Sequence, residues 1–370
     1  MSAAPKRIGV NALYLIPGGV GGTEIYLRNL LAALADIDAH NQYFVFTNRE
    51  TDAELVPPRP NFHLQPQGVR ATSRVARILW EQTLLPLAAT RLRLDVLFNP
   101  GFTAPILCGC PRVTVFHDLQ HKRHPQYFRW FDLPFWNLLL YASAHLSVRL
   151  IAVSDATRAD VLAHYRLPPD RVTTVLSGVD ETFFEIAARR RPEPFLLAVS
   201  TLHPHKNLDG LLRAYALFRR RRPDIRLIVC GMHGFFTGPL HQLREELDLG
   251  DSVEFPGWIP RGDLYDLFAR ATAFIYPSRF EGFGLPVLEA LAAGVPSACS
   301  AIEPLLTLSG DAALHFDPAD TVALSDIMYR LVSDAELRSR LTADGPVRAR
   351  CFSWRQSAAG TLETLILASK

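Results

Sequence analysis

The 370-residue sequence is short of several things. It has five cysteines, Cys108, Cys110, Cys230, Cys299 and Cys351, an odd and scattered set that makes a poor disulfide framework. The one close pair, Cys108-Gly109-Cys110, has no partners at metal-ligand spacing, so no metal site is expected. Net charge is nearly absent: 39 Lys+Arg against 37 Asp+Glu leave +2. That balance excludes a protein that coats nucleic acid through bulk charge. Apolar runs stay well below the ~20 residues of a membrane span. The longest, residues 134–148, is interrupted by Asn137 and His145 and reads as a helix on a core or on a membrane surface. No secretory leader is expected, because MSAAPKR leads straight into the strand-like residues 8–10. The expected location is cytoplasmic, with peripheral contact at the inner face of the plasma membrane left open. Low-complexity tracts are lacking, and 48% hydrophobic with 21% charged residues excludes a disordered chain. At about 150 residues per domain the length suits roughly two or three domains.

What is present is alternation. Apolar runs fall at 7–12, 43–47, 94–98, 113–116, 150–153 and 172–175, then at 195–199, 226–230, 252–255, 273–276 and 297–299. Several are unbroken β-branched and aromatic runs, as expected of parallel strands covered on both faces by helices. Helical patterns lie between them at 24–34, 155–164, 207–218 and 263–270, with Ser154 placed as an N-cap. Residues 322–332, 334–341 and 353–369 are helical, the last with Ser353 as N-cap. This order predicts α/β architecture with two doubly wound sheets. The segment 187–194, AARRRPEP, combines a basic cluster with two prolines and reads as the linker. The expected division is 1–186, 194–352 and a final helix 353–370.

The sharpest chemistry is in residues 277–296, PSRFEGFGLPVLEALAAGVP. A strand ends at Tyr276, a turn carries Gly282 and Gly284, and Pro286 suits the first turn of a helix. Glycines let backbone approach a ligand closely, and N–H groups at a helix start attract anions. Two carboxylates, Glu281 and Glu289, flank the turn and suit a hydroxyl-rich ligand. Glu289 alone is also explained as a helix-start carboxylate.

The string from Glu281 to Glu289 resembles the E-x7-E motif of the family-4 retaining glycosyltransferases. Other segments resemble that family in the same order: Pro17–Gly22 as its glycine-rich loop, His117-Asp118 after a strand, Ser177–Asp180, His203–Asn207 and Gly310–Pro318. The resemblance implies the GT-B architecture: two Rossmann-like domains facing across a cleft, with the C-terminal helix crossing back to the first. It implies transfer of a hexose from a nucleoside-diphosphate sugar to an acceptor hydroxyl with the anomeric configuration kept. GDP-mannose is the first choice of donor, since the pattern resembles bacterial mannosyltransferases of surface-polysaccharide assembly. A glycan or lipid-linked glycan is the implied acceptor, and no cofactor or metal is implied. A glycoside phosphorylase or synthase of the same architecture, or a nucleotide-sugar-binding protein without catalysis, are the other readings.

The resemblance also distributes roles. Lys206 meets the charge that builds on the leaving diphosphate. Glu281, with Gly282, Phe283, Gly284 and Leu285 at the turn, holds the donor sugar, and Glu289 holds the ribose. His117 acts at the sugar's reacting face, with Asp118 fixing its tautomer only if the chain bends back. Gly19 and Gly22 belong to the donor-side loop. Gly231, Trp258 and Ile259 follow strands that end where ligands bind in open α/β sheets. Ser200, followed by Thr201, stands where many members carry Arg, so hydroxyls replace a positive charge there. Asp36-Ile37-Asp38, a candidate metal-binding Asp-x-Asp, reads as a solvated helix end. The mixture of basic and aromatic residues at 121–141, with Arg70, Arg74 and Arg77, marks the acceptor side or a basic face over a core helix.

Overall fold

The computed structural model describes residues 4–370 apart from Val20, Arg129, His233 and Phe235. The chain divides into two units, Met1–Gly178 with Ser353–Lys370, and Val179–Phe352.

The first unit holds seven strands: β1 (Arg7–Asn11), β2 (Gln42–Thr47), β3 (Phe62–Pro66), β4 (Val96–Asn99), β5 (Arg112–Phe116), β6 (Arg149–Ala152) and β7 (Val172–Thr174). Their order is β3-β2-β1-β4-β5-β6-β7, and every pairing is parallel. β1 lies inside the order, with Ile8 and Val10 wholly buried on one face and Gly9 packed against Leu94, Leu97 and Phe46 on the other. The sheet order reverses between β1 and β4, which makes the carboxyl ends of those strands a topological switch point. The helix Gly22–Ile37 buries Tyr26, Leu27, Leu30, Leu31 and Leu34, an i, i+1, i+4, i+5, i+8 stripe. Each such side chain contributes about 1.5–3 kcal/mol when fully buried. That helix packs on the last one, Trp354–Ala368, whose Ser353 caps it by accepting from Gln356 N–H. Ser154 likewise accepts from Thr157 N–H at the start of the helix Asp155–Tyr165.

The second unit holds β8 (Glu193–Val199), β9 (Arg226–Cys230), β10 (Val253–Gly257), β11 (Ala271–Tyr276), β12 (Ser297–Ser300) and β13 (Leu314–Phe316). Their order, β10-β9-β8-β11-β12-β13, is parallel throughout and reverses between β8 and β11. Both units are therefore doubly wound α/β sheets.

Two strands escape the sequence pattern. β3 is a sheet-edge strand, FHLQP, with alternating burial, and β13 is only three residues long. The long helix Arg74–Arg91 is masked in the sequence by Pro86 within it.

The expected linker at 187–194 is a correction. The helix Glu181–Arg189 and strand β8 occupy most of it. Arg190 between them donates to the carbonyls of Gly294 and Ala271, at 2.5 Å each, and burial pulls its guanidinium down to about 10. A basic, proline-containing stretch is thus pinned by backbone acceptors. The division falls instead after Gly178, where a Cβ would lie 2.1 Å from Trp354 N. Asp38 is a second correction. It is not solvated but buried, and it accepts from Tyr43 Oη at 2.6 Å and Asn41 Nδ2 at 2.7 Å. Those donors hold its carboxyl below the usual range against the cost of burial. No helix of the described residues is long and apolar enough to cross a membrane.

Candidate active site

In the second unit, the loops after β8 and β11 leave neighbouring strands at the switch point. The first carries a 3-10 turn, Pro204–Lys206, and Asn207 at φ 55° before the helix Leu208–Arg219. The second carries Ser278, Arg279 and Glu281. The loops are tied together at His205, whose carbonyl accepts from Arg279 N–H at 2.7 Å and Ser278 Oγ at 3.2 Å. This tie brings Lys206 Nζ to 2.6 Å from Glu281 Oε1, with side chains 16% and 9% exposed. Lys206 Nζ also donates to Tyr276 Oη at 3.3 Å. Burial, with the Glu281 carboxylate beside it, pushes the Tyr276 phenol well above its usual value, so it stays protonated.

Glu281 is followed by buried Gly282, Phe283 and Gly284. Gly284 has φ 107°, and a Cβ there would meet Leu305 Cδ2 at 2.5 Å, so the turn admits glycine alone. Phe283 packs edge-on against Phe352 at 6.1 Å. Leu285 starts the helix Leu285–Ala292.

Glu289, buried in that helix, is held by a residue the sequence reasoning missed. Arg261 Nη2 donates to Glu289 Oε1 at 2.8 Å and lies 4.0 Å from Asp180 Oδ2. Tyr265 Oη donates to the same Asp180, whose other oxygen accepts from Thr182 N–H. Arg261 also lies over the Phe183 ring, 4.9 Å from its centroid. Burial pushes the Glu289 carboxyl up, and Arg261 pulls it part of the way back. Four groups, Asp180, Tyr265, Arg261 and Glu289, thus form one chain. Nothing local announces it, because Arg261 opens its helix 28 residues before Glu289.

The other second-unit candidates are placed as follows. Ser200 is buried, its N–H donates to Cys230 O, and its Oγ has no partner among the described residues. Thr201 follows it, half-buried. Gly231 is a packing glycine: a Cβ would lie 1.8 Å from Ser200 O, and its N–H is taken by Gly257 O. Its close approach is to the neighbouring strand end. Trp258 is 56% exposed, and Ile259 half-buried.

In the first unit, His117 follows β5 and its Nε2 lies 2.8 Å from Pro100 O. A carbonyl only accepts, so Nε2 carries the proton and Nδ1 the lone pair. Tyr26 and Phe102 wall the ring at 4.8 and 5.1 Å, and burial pulls it down to about 4. Pro100, not Asp118, sets this tautomer; Asp118 accepts from Gln120 N–H. In the glycine-rich loop the left-handed conformations belong to Gly18 and Gly21, while Gly19 packs on Ile16 and Gly22 opens the helix. Glu24 accepts from Gly18 N–H at 2.8 Å and is held by Arg28, so a carboxylate of the chain already sits at this helix start. Among the described residues no group of three or more His, Cys, Asp or Glu is placed to hold a metal ion.

Two family models match. Residues 20–183 fit "Glycosyltransferase Family 4" and residues 179–348 fit "Glycosyl transferases group 1". The O-antigen chain mannosyltransferase B of Escherichia coli is 34% identical over 264 residues, 68% of each chain. A D-inositol 3-phosphate glycosyltransferase of Frankia alni is 35% identical over 388 residues, 94% of each chain.

The chain belongs to the family-4 glycosyltransferases.

Its fold is GT-B. The crystal structure of Anabaena HepE in complex with UDP and glucose superposes with TM-score 0.75 over 98% of this chain and 99% of that one, at 17% identity. In this glycosyltransferase the E-x7-E string thus spans the turn and first helix after β11, with Lys206 against its first carboxylate and Arg261 against its second.

Proposed function

We propose that this glycosyltransferase moves a hexose, with mannose from GDP-mannose as the first choice, from a nucleoside-diphosphate sugar to an acceptor hydroxyl with retention and without a metal. The acceptor is a glycan or lipid-linked glycan in surface-polysaccharide or glycolipid synthesis. The observation that carries the reading is the Lys206–Glu281 pair at the β8/β11 switch point. Breaking the bond between the sugar and the β-phosphate places negative charge on the leaving diphosphate. A positioned ammonium stabilises that charge without reorganisation. Glu281 keeps Lys206 in place and takes sugar hydroxyls as donors; Glu289, oriented by Arg261, takes the ribose hydroxyls. His117 is neutral, so its Nδ1 lone pair accepts from a hydroxyl of donor or acceptor.

The name of the Escherichia coli relative supports mannose, and the UDP and glucose of the HepE complex support a nucleotide sugar as donor class. Exposed Phe135, Leu138 and Tyr141 on the helix Leu133–Leu146 support peripheral contact with a membrane, which sedimentation with anionic vesicles checks.

The test is slow donor hydrolysis across a panel of GDP-, UDP- and dTDP-sugars. Release of GDP from GDP-mannose alone is expected. Turnover that requires inorganic phosphate and a disaccharide indicates a phosphorylase. Donor binding without hydrolysis or transfer indicates a protein that binds only, a reading favoured by the uncharged Ser200.

A further inference from the structure

The helix Arg74–Arg91 carries Arg77 into the first unit with 8% of its surface exposed. Its guanidinium makes neither hydrogen bond nor ion pair with any described residue; Glu81, Arg74 and Tyr14 act on it only through charge. Burying an unpaired guanidinium costs several kcal/mol, so a chain rarely keeps one without use.

Glu81, one helical turn on, is the obvious partner, but its oxygens are engaged elsewhere. They accept from Asn11 Nδ2 at 3.1 Å, Thr103 Oγ1 at 3.0 Å and Gln82 Nε2 at 3.3 Å. Asn11 ends β1 and Asn99 ends β4, and the two amides are bonded at 3.1 Å. This cluster therefore marks the switch point of the first sheet, where open α/β sheets bind ligands. The unpartnered nitrogens of Arg112 and Arg190 are fully sealed, whereas those of Arg77 are not, so its edge stays reachable. Arg74, one turn earlier, is also near, but it pairs with Asp132 at 3.5 Å and lies over the Trp136 ring, so the site rests on Arg77. Tyr14, whose phenol burial keeps protonated, lies beside the guanidinium, its hydroxyl donating to Thr23 O at 3.4 Å.

We propose that Arg77 anchors an anion site in the first unit, which takes a phosphate group carried by the acceptor. A guanidinium presents five N–H donors in a fork that matches phosphate oxygens, and the buried setting strengthens each bond. Assigning the phosphate to the acceptor rests on the glycosyltransferase reading. Phosphate binding itself does not, so it is measured without donor.

Inorganic phosphate is titrated calorimetrically into the Lys206→Ala variant, which removes the ammonium of the second unit, and into Lys206→Ala/Arg77→Met. One site weakened at least tenfold by Arg77→Met is expected, with Arg77→Lys intermediate. Equal affinity in both chains, or no binding in Lys206→Ala, overturns the proposal. Thermal melting without phosphate separates a structural role. An unpaired charge replaced by Met leaves the melting temperature equal or higher, whereas a lower one with phosphate binding intact contradicts the site. A short prenyl phosphate and a soluble sugar phosphate then distinguish the carrier. Both should lose affinity with Arg77→Met, and the tighter one identifies the acceptor class.

Discussion

Lys206 Nζ lies 2.6 Å from Glu281 Oε1, and both side chains are largely withdrawn from solvent. Removing either partner leaves the other charge buried without its counter-ion. Lys206→Ala and Glu281→Ala are each expected to lower kcat at least 100-fold while circular dichroism still reports the native fold. Unfolding of both single variants and the double variant should give a coupling of about 1–3 kcal/mol. Full activity in either single variant would sink the role assigned to that residue.

Arg261→Gln should raise the donor KM about tenfold and leave the acceptor KM unchanged. Burial holds the Glu289 carboxyl above its usual value, so the folded chain keeps that proton to higher pH than the unfolded chain. Stability from this group is then complete at acid pH and falls as pH rises through the folded value. Arg261 offsets that fall, so Arg261→Gln should steepen it. Urea midpoints measured between pH 5 and 8 check the slope; parallel curves for variant and parent would show that Arg261 does not act on Glu289.

His117 is expected to stay neutral between about pH 5 and 8, since burial pulls it down to about 4. The pH–rate profile should therefore show no break from this ring near its usual value. Stability follows the opposite sense from Glu289: it is fully present above the ordinary histidine value and is lost as pH falls toward the folded one. Nitrogen-15 NMR should report the proton on Nε2, as the Pro100 carbonyl requires. A proton on Nδ1 would contradict the proposed acceptor role of that atom.

How much of this could be read along the chain depended on how local each feature is. Glu281, Glu289 and their glycine turn lie in one string, and the helix start that separates them follows from Pro286 and the strand before it. Lys206 was legible through its neighbours in sequence. Arg261 was not, because its partner Glu289 is brought to it only by packing of separate helices. The Pro100 acceptor of His117 was hidden for the same reason, a contact made across 17 residues. β3 escaped because an edge strand needs fewer apolar residues than a central one. Arg190 misled in the other sense: a basic residue beside prolines looks solvated, and only the fold supplies two carbonyls that bury it.

Ser200→Ala tests the departure from the arginine common in the family. Its Oγ has no partner among the described residues, so removing it should change stability by no more than about 0.5 kcal/mol. If the hydroxyl donates to the donor diphosphate, the donor KM should rise several-fold with little change in kcat. An unchanged KM would remove Ser200 from the donor site.

The most direct measurement follows the anomeric proton by NMR while the enzyme transfers or slowly hydrolyses GDP-mannose with EDTA present. The account predicts release of GDP, a first product with the α configuration of the donor, and a rate unaffected by the chelator. A β product, or no release of nucleoside diphosphate from any nucleotide sugar, would contradict it.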